Sequence, residues 1–139
     1  MKIRSFTELV AWQKAHELAL LIYQVTKKFP REEQFGLISQ LRRASSSVAA
    51  NIAEGFGRRT TKELLHSLRI ANGEAEGTRY FSLLSRDLNY MNLGEFNQVN
   101  QLCDSVSRLV SALGRSLKNS ASRVTSHQSR VTRNPRSQL

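Results

Sequence analysis

The stretch "QLRRASSSVAANIAEGFGRRTTKE", Gln40 to Glu63, decides how the rest of the chain is read. An arginine pair leads into a run of Ser and Ala, then a Gly-Phe-Gly corner, a second arginine pair and two threonines. Leu37, Leu41, Ala44, Val48 and Ile52 recur at three- and four-residue steps, the spacing of one helical face. Ile38, Ser45, Ala49 and Phe56 widen that face. Ser39, Ser46, Ala50 and Ala53 gather on another side, where small side chains let a second backbone come close. The run is therefore a packing seam on a helix over 35–56, with Arg42 and Glu54 at its borders. Gly55 or Gly57 offers the left-handed residue that stops a helix. Thr60 with Glu63 three residues on is a capping box that opens the next helix.

The same periodicity extends outward. Leu9, Trp12, Ala15/His16, Ala19, Ile22/Tyr23 and Thr26 form a stripe over 7–28, with Leu18, Leu21 and Val25 beside it. Phe29-Pro30 ends that helix, because the residue before proline is pushed out of the α region. A third helix spans 60–91 through Leu64, Leu68, Ala71, Ala75 and Thr78, shifting to Phe81, Leu84, Leu88 and Met91. Gly73 and Gly77 lie inside it, which predicts a bend or a close contact there. A fourth helix, 94–118, follows Asn92, itself a cap with Glu95, and carries Phe96, Val99, Leu102/Cys103, Val106, Leu109/Val110 and Leu113. No strand pattern appears. Short connections force neighbours to run antiparallel, so the fold class is an all-α, up-down four-helix bundle over 1–118. From Asn119 the chain has only two valines and Leu139 as large apolar residues, which predicts a disordered tail over 119–139.

Charge narrows the partners. The net is +10, and the first 118 residues carry 17 basic and 11 acidic side chains, so the body is basic without its tail. The tail adds Arg123, Arg130, Arg133 and Arg136 and no acid; it reads either as an RNA-binding arm or, by preference, as an inert extension. A positive field favours nucleic acid, an anionic surface or an acidic protein. No apolar run approaches the ~20 residues of a membrane span. The N-terminus lacks a long apolar segment and a cleavage site, so no signal peptide is expected, and the lone Cys103 fits a reducing cytoplasm.

Enzymatic chemistry finds little support. His16 sits on the apolar stripe of the first helix, a core or interface position, and His127 is in the tail. Glu63 and His66 form a single Glu-x-x-His, whereas di-iron bundles need two such motifs and two further glutamates. "GFGRRTTK" has glycines and cations near a helix start but lacks the GxxxxGK[ST] of a P-loop. Two readings of it stand: an ordinary helix stop with a solvated arginine pair, or a backbone phosphate held by Arg58, Arg59 and Lys62 against the free amides. Arg43 projects away from the apolar face and joins the candidate nucleic-acid set. Arg42, at the margin, either pairs with an acid across an interface or buries its stem with its head in water. No catalytic residue, metal site, cofactor or small-molecule substrate is expected.

"FTELVAWQKAHEL" with Trp12, the stretch from Ile22 to Arg58 and "RDLNYM" at Arg86 to Met91 together resemble a bacterial family. These are the small four-helix-bundle proteins encoded in intervening sequences of 23S ribosomal RNA genes. The resemblance covers about Phe6 to Lys118. It implies an antiparallel bundle that assembles as a homopentamer, no enzyme activity, and a role with nucleic acid or the ribosome. More distantly, the chain is similar to the accessory subunit of diversity-generating retroelements. The chain departs from the family pattern where two glutamates are expected after Ala71-x-Gly73: Gly77 and Arg79 stand there. Two functions follow: a homo-oligomeric scaffold for structured RNA or DNA, or a protein-interaction module without nucleic acid.

Overall fold

A computed structural model describes residues 3–133, with side chains placed to Ser120. Four α-helices account for the described body: α1 Val10–Thr26, α2 Leu37–Phe56, α3 Thr61–Asp87 and α4 Leu93–Arg133. Short 3-10 turns, Phe6–Glu8 and Arg31–Glu33, precede α1 and α2. No strand occurs among the described residues.

The core falls into two layers that define the topology. In the first, Ala11 and Ala15 of α1 meet Val48 and Ile52 of α2, Leu68 and Ala71 of α3, and Val106 and Val110 of α4. In the second, Leu18, Ile22 and Val25 meet Leu37 and Leu41, Met91, and Val99 and Cys103. The start of α1 thus shares a layer with the end of α2, the start of α3 and the distal part of α4. Consecutive helices run in opposite directions, as an up-down bundle requires. Among the described residues the backbones of α1 and α3 each come close to those of α2 and α4, while the diagonal pairs approach only through core side chains. Leu18, Ile22, Leu41, Val48 and Ile52 are fully buried. Each stabilises the fold by about 1.5–3 kcal/mol relative to exposure.

Helix ends differ from the sequence expectation in instructive ways. No glycine has positive φ among the described residues, and Gly57 sits at φ −87°. Gly55 acts through space instead: a Cβ there would lie 2.8 Å from Ser67 Cβ and 2.9 Å from Leu64 Cδ1. It lets α3 cross close to α2. The left-handed residue is Asn89, φ 66°, which ends α3 at Asp87 rather than at Met91. The Tyr90 amide then bonds back to the Ser85 carbonyl at 2.8 Å, a Schellman closure.

Caps, inner glycines and the last helix complete the comparison. Thr60 Oγ1 accepts from the Glu63 amide at 3.1 Å, but the Glu63 carboxylate makes no return bond, so that capping box is half formed. Asn92 and Glu95 form the complete one, with reciprocal bonds of 2.8 and 2.9 Å. Gly73 and Gly77 are not close-contact glycines, since a Cβ at either meets nothing within 4 Å. They lie within one continuous α3. Finally, α4 continues to Arg133 where the sequence predicts an end near Lys118 and disorder beyond. No Gly or Pro interrupts the chain between Gly114 and Pro135, so nothing in the backbone stops the helix. The rest of the expected tail, 134–139, lies outside the described residues.

Candidate nucleic-acid interface

Ion pairing divides the basic side chains into two populations. Lys28 meets Glu95 at 2.6 Å, Arg43 meets Glu74 at 3.4 Å, and Arg79 reaches Asp104 at 2.9 Å and Glu76 at 3.3 Å. Lys14 with Glu17 and Arg86 with Asp87 complete the ion pairs among the described residues. None involves Arg58, Arg59, Lys62, Arg69, Arg108, Arg115 or Lys118, all of which are exposed. These seven sit where α2 ends, where α3 begins and along the middle of α4, on segments 54–70 and 105–120 that hold only Glu54 and Glu63 as acids. Most of the described cations without an ion pair are therefore gathered there; Arg4, Lys27, Arg31 and Arg42 also lack one.

The corner between α2 and α3 shapes this charge. Gly55 brings the helices together, and Thr60 turns the chain into α3. Arg58, Lys62, His66 and Arg69 then line an open groove of about 650 Å³ together with Glu54 and Glu63. A second, smaller cleft of about 250 Å³ lies between α3 and α4, with Arg69, Arg115 and Lys118 around it. Arg69 belongs to both.

Of the residues expected from sequence, Arg58 and Lys62 are brought together in the groove. Arg59 is exposed beside them but outside its lining. Arg43 stands apart on the α2–α3 face, held by Glu74. Arg42 does not reach an acid: Nε donates to Thr26 Oγ1 at 2.9 Å, Nη2 to the Tyr23 carbonyl at 3.4 Å, and its guanidinium lies 4.7 Å from the Tyr23 ring centre. A cation on the last carbonyls of α1 also opposes the helix dipole favourably. Arg42 is thus tied within its own subunit. Along the seam, Ser46, Ala50 and Glu54 are exposed and Ala53 is half-buried. His16 is exposed rather than in the core, and stacks on Trp12 with ring centres 4.9 Å apart.

Arg69, Arg115 and Lys118 escaped the sequence reading because they lie on two helices far apart in the chain. One signal could have found them. Neither Arg69, Arg115 nor Lys118 has an acid three or four residues away, so no pairing on the same helix neutralises them. Arg79 has one such acid, Glu76, bonds across to Asp104 and Asn100, and stays out of the basic end.

No cluster of three or more His, Cys, Asp or Glu side chains suited to a metal forms among the described residues. Cys103 is buried, its Sγ 3.6 Å from the Ala75 carbonyl oxygen, and burial pushes its thiol up to about 12. A thiol so protonated is a poor nucleophile. No helix among the described residues is long and apolar enough to cross a membrane.

The described body is a four-helix bundle with a cluster of unpaired cations around the α2–α3 corner and the facing part of α4. The family is settled by comparison: the chain belongs to the family described as 23S rRNA-intervening sequence protein, whose model matches residues 7–112. A solved structure of a protein with unknown function, from the S23 ribosomal protein family of Bacteroides thetaiotaomicron VPI-5482, is similar in fold. Its TM-score is 0.70 at 24% identity, covering 76% of this chain and 98% of that one. No curated protein matches. Neither description indicates an enzyme family.

Proposed function

We propose that this protein is a non-enzymatic, homo-oligomeric scaffold, a pentamer, that binds structured RNA through the basic end of each bundle in the cytoplasm. The observation that carries the reading is a concentration of unpaired cations: Arg58, Lys62 and Arg69 converge on one groove, whereas Lys28, Arg43 and Arg79 elsewhere on the bundle are held in ion pairs. Self-association is supported by the small side chains of the seam. Ser46 and Ala50 remain exposed and have no partner helix within the subunit. Ring assembly would repeat the basic end in every subunit, so avidity would exceed the affinity of one site.

Filter binding of an RNA hairpin across a salt series tests the electrostatic core of this reading. Counterion release makes the logarithm of affinity fall with that of salt, by about 0.7–0.9 per phosphate contact. Substituting Arg58→Gln, Lys62→Gln and Arg69→Gln together lowers that slope by roughly 2–3. RNA retention that does not respond to salt overturns it. Native mass spectrometry of protein from cells, without nuclease, reports the subunit count and any RNA carried along. A protein-interaction module is the second reading. It is favoured by Phe35, 89% exposed, with Leu20 and Leu93 also largely exposed. That reading holds if residues 1–118 bind no RNA at low salt and lose a protein partner when Phe35 is replaced by Ser.

A further inference from the structure

The cleft between α3 and α4 differs from the open groove in having an apolar floor. Leu68 and Val110 are buried core residues that reach it from below, and Gly114 keeps its wall low. Asn72 on α3 faces Ser111 and Gly114 on α4 across it. Asn72 Oδ1 is buried without any hydrogen-bond partner among the described residues. An unmet buried acceptor is costly, so a native protein that keeps one has a reason to. Rotation about the last torsion exchanges the oxygen and the nitrogen, so the amide can present either a donor or an acceptor to the cleft. Around the mouth stand Arg69, Arg115 and Lys118, none of them ion-paired. All eleven acids of the chain lie within the described residues, so no acid elsewhere neutralises these cations.

These features together specify a ligand. The volume, about 250 Å³, is below the ~300–1,000 Å³ of drug-sized sites and suits one planar ring system. An apolar floor accepts the face or edge of that ring. The Asn72 amide and the Ser111 hydroxyl offer hydrogen bonds to a polar edge. The cations require an anion attached to the ring. A nucleotide has all of these parts. RNA is commonly read this way, with an unstacked base splayed into a pocket, often against Arg guanidinium planes.

We infer that the α3–α4 cleft takes one unpaired nucleotide, its base on Leu68 and Val110 beside Asn72 and its phosphate on Arg115 and Lys118. Arg69 links the cleft to the groove of Arg58 and Lys62, so one strand passes from the α2–α3 corner over α3 into the cleft. This rests on the RNA-binding reading and makes it more specific. The preferred target is an unpaired segment of RNA, not the shape of a duplex. The α1–α4 groove around Leu21 and Leu102 lacks the feature, having Lys14 as its one cation.

The test compares a short fluorescein-labelled single-stranded RNA with a blunt RNA duplex of equal length, by anisotropy at low salt, on the full chain. The key variant is Asn72→Leu, which keeps the branched shape with somewhat more bulk, removes the orphaned polar atom and leaves every cation in place. Urea unfolding checks that it is at least as stable as the parent. The parent is expected to prefer the single strand, and Asn72→Leu to weaken that strand on the order of tenfold or more while duplex binding stays unchanged. Adenosine monophosphate should compete for the parent and not for the variant. Equal binding of both RNAs with no effect of Asn72→Leu overturns the cleft while leaving the RNA reading intact. Binding of neither RNA at low salt overturns both.

Discussion

Gly55, Gly73 and Gly77 make a controlled experiment within one fold, because the structure gives them opposite surroundings. Gly55 is buried, and a Cβ on it would stand 2.8 Å from Ser67 Cβ and 2.9 Å from Leu64 Cδ1. Neither distance is tolerable, and Ser67 Cβ is fixed to the α3 backbone. Gly55→Ala must push α2 and α3 apart or distort Leu64, an overpacking that costs about 1–3 kcal/mol. A Cβ on Gly73 or Gly77 meets nothing within 4 Å, and both residues lie inside α3. There the alanine acts only on helix propensity and unfolded-chain entropy, stabilising by roughly 0.5–1 kcal/mol at each site. The double variant Gly73→Ala/Gly77→Ala should gain about 1–2 kcal/mol. Urea unfolding followed by circular dichroism reads this as a higher midpoint with an unchanged slope. Protein concentration must be held fixed, because the proposed self-association would couple to unfolding. Destabilisation of the double variant would refute the reasoning. It would mean that the space beside Gly73 and Gly77 is filled by something outside this chain, as a second copy in the proposed oligomer would fill it.

Three further outcomes are expected. Cys103, protonated and buried, should resist thiol reagents at pH 8 in the native protein and react on addition of urea; native labelling at the free-thiol rate would contradict its burial. Glu95 is pushed up by burial, but the bonds from Lys28 and the Asn92 amide win and hold its carboxyl below the ordinary carboxylate range. Its contribution is therefore present above pH ~4.3 and lost as pH falls through the lower folded value, so Glu95→Gln should weaken the protein at pH 7 and flatten its acid limb. Ser82 Oγ is buried with no partner among the described residues, and Ser82→Ala should leave stability unchanged or raise it by up to ~1 kcal/mol.

Periodicity made the bundle legible because burial is strict. Leu41, Ala44, Val48 and Ile52 repeat at helical steps, and all four are buried. Periodicity misled where a turn mimics it. Met91 continues the α3 stripe and is buried, yet it lies beyond the helix, folded back by Asn89. Glycine was also ambiguous. Sequence cannot distinguish a residue needed for left-handed backbone from one needed for close approach, and Gly55 proved the second kind. The site was half legible. Arg58 and Lys62 are close in sequence to a helix start, so the sequence already groups them as the groove does. Arg69 and Arg115 meet only when α3 and α4 pack side by side, a property of the fold and not of any local stretch.

The unpaired cations carry a consequence for stability that ties the site to the fold. Arg115 and Lys118 are like charges three residues apart on α4, with no acid in reach. Such a pair destabilises its helix, by roughly 0.2–0.5 kcal/mol. A chain selected only to fold would alternate signs there, as the Lys14–Glu17 pair does on α1. Keeping the repulsion makes sense if a polyanion relieves it. Lys118→Gln should therefore make the free protein slightly more stable in low salt and weaken its hold on RNA at the same time. In 1 M salt, where screening acts over about 3 Å, the stability gain should vanish. A loss of stability in Lys118→Gln at low salt would show that the lysine has a structural partner, and the case for a reserved anion surface at this end would fail with it.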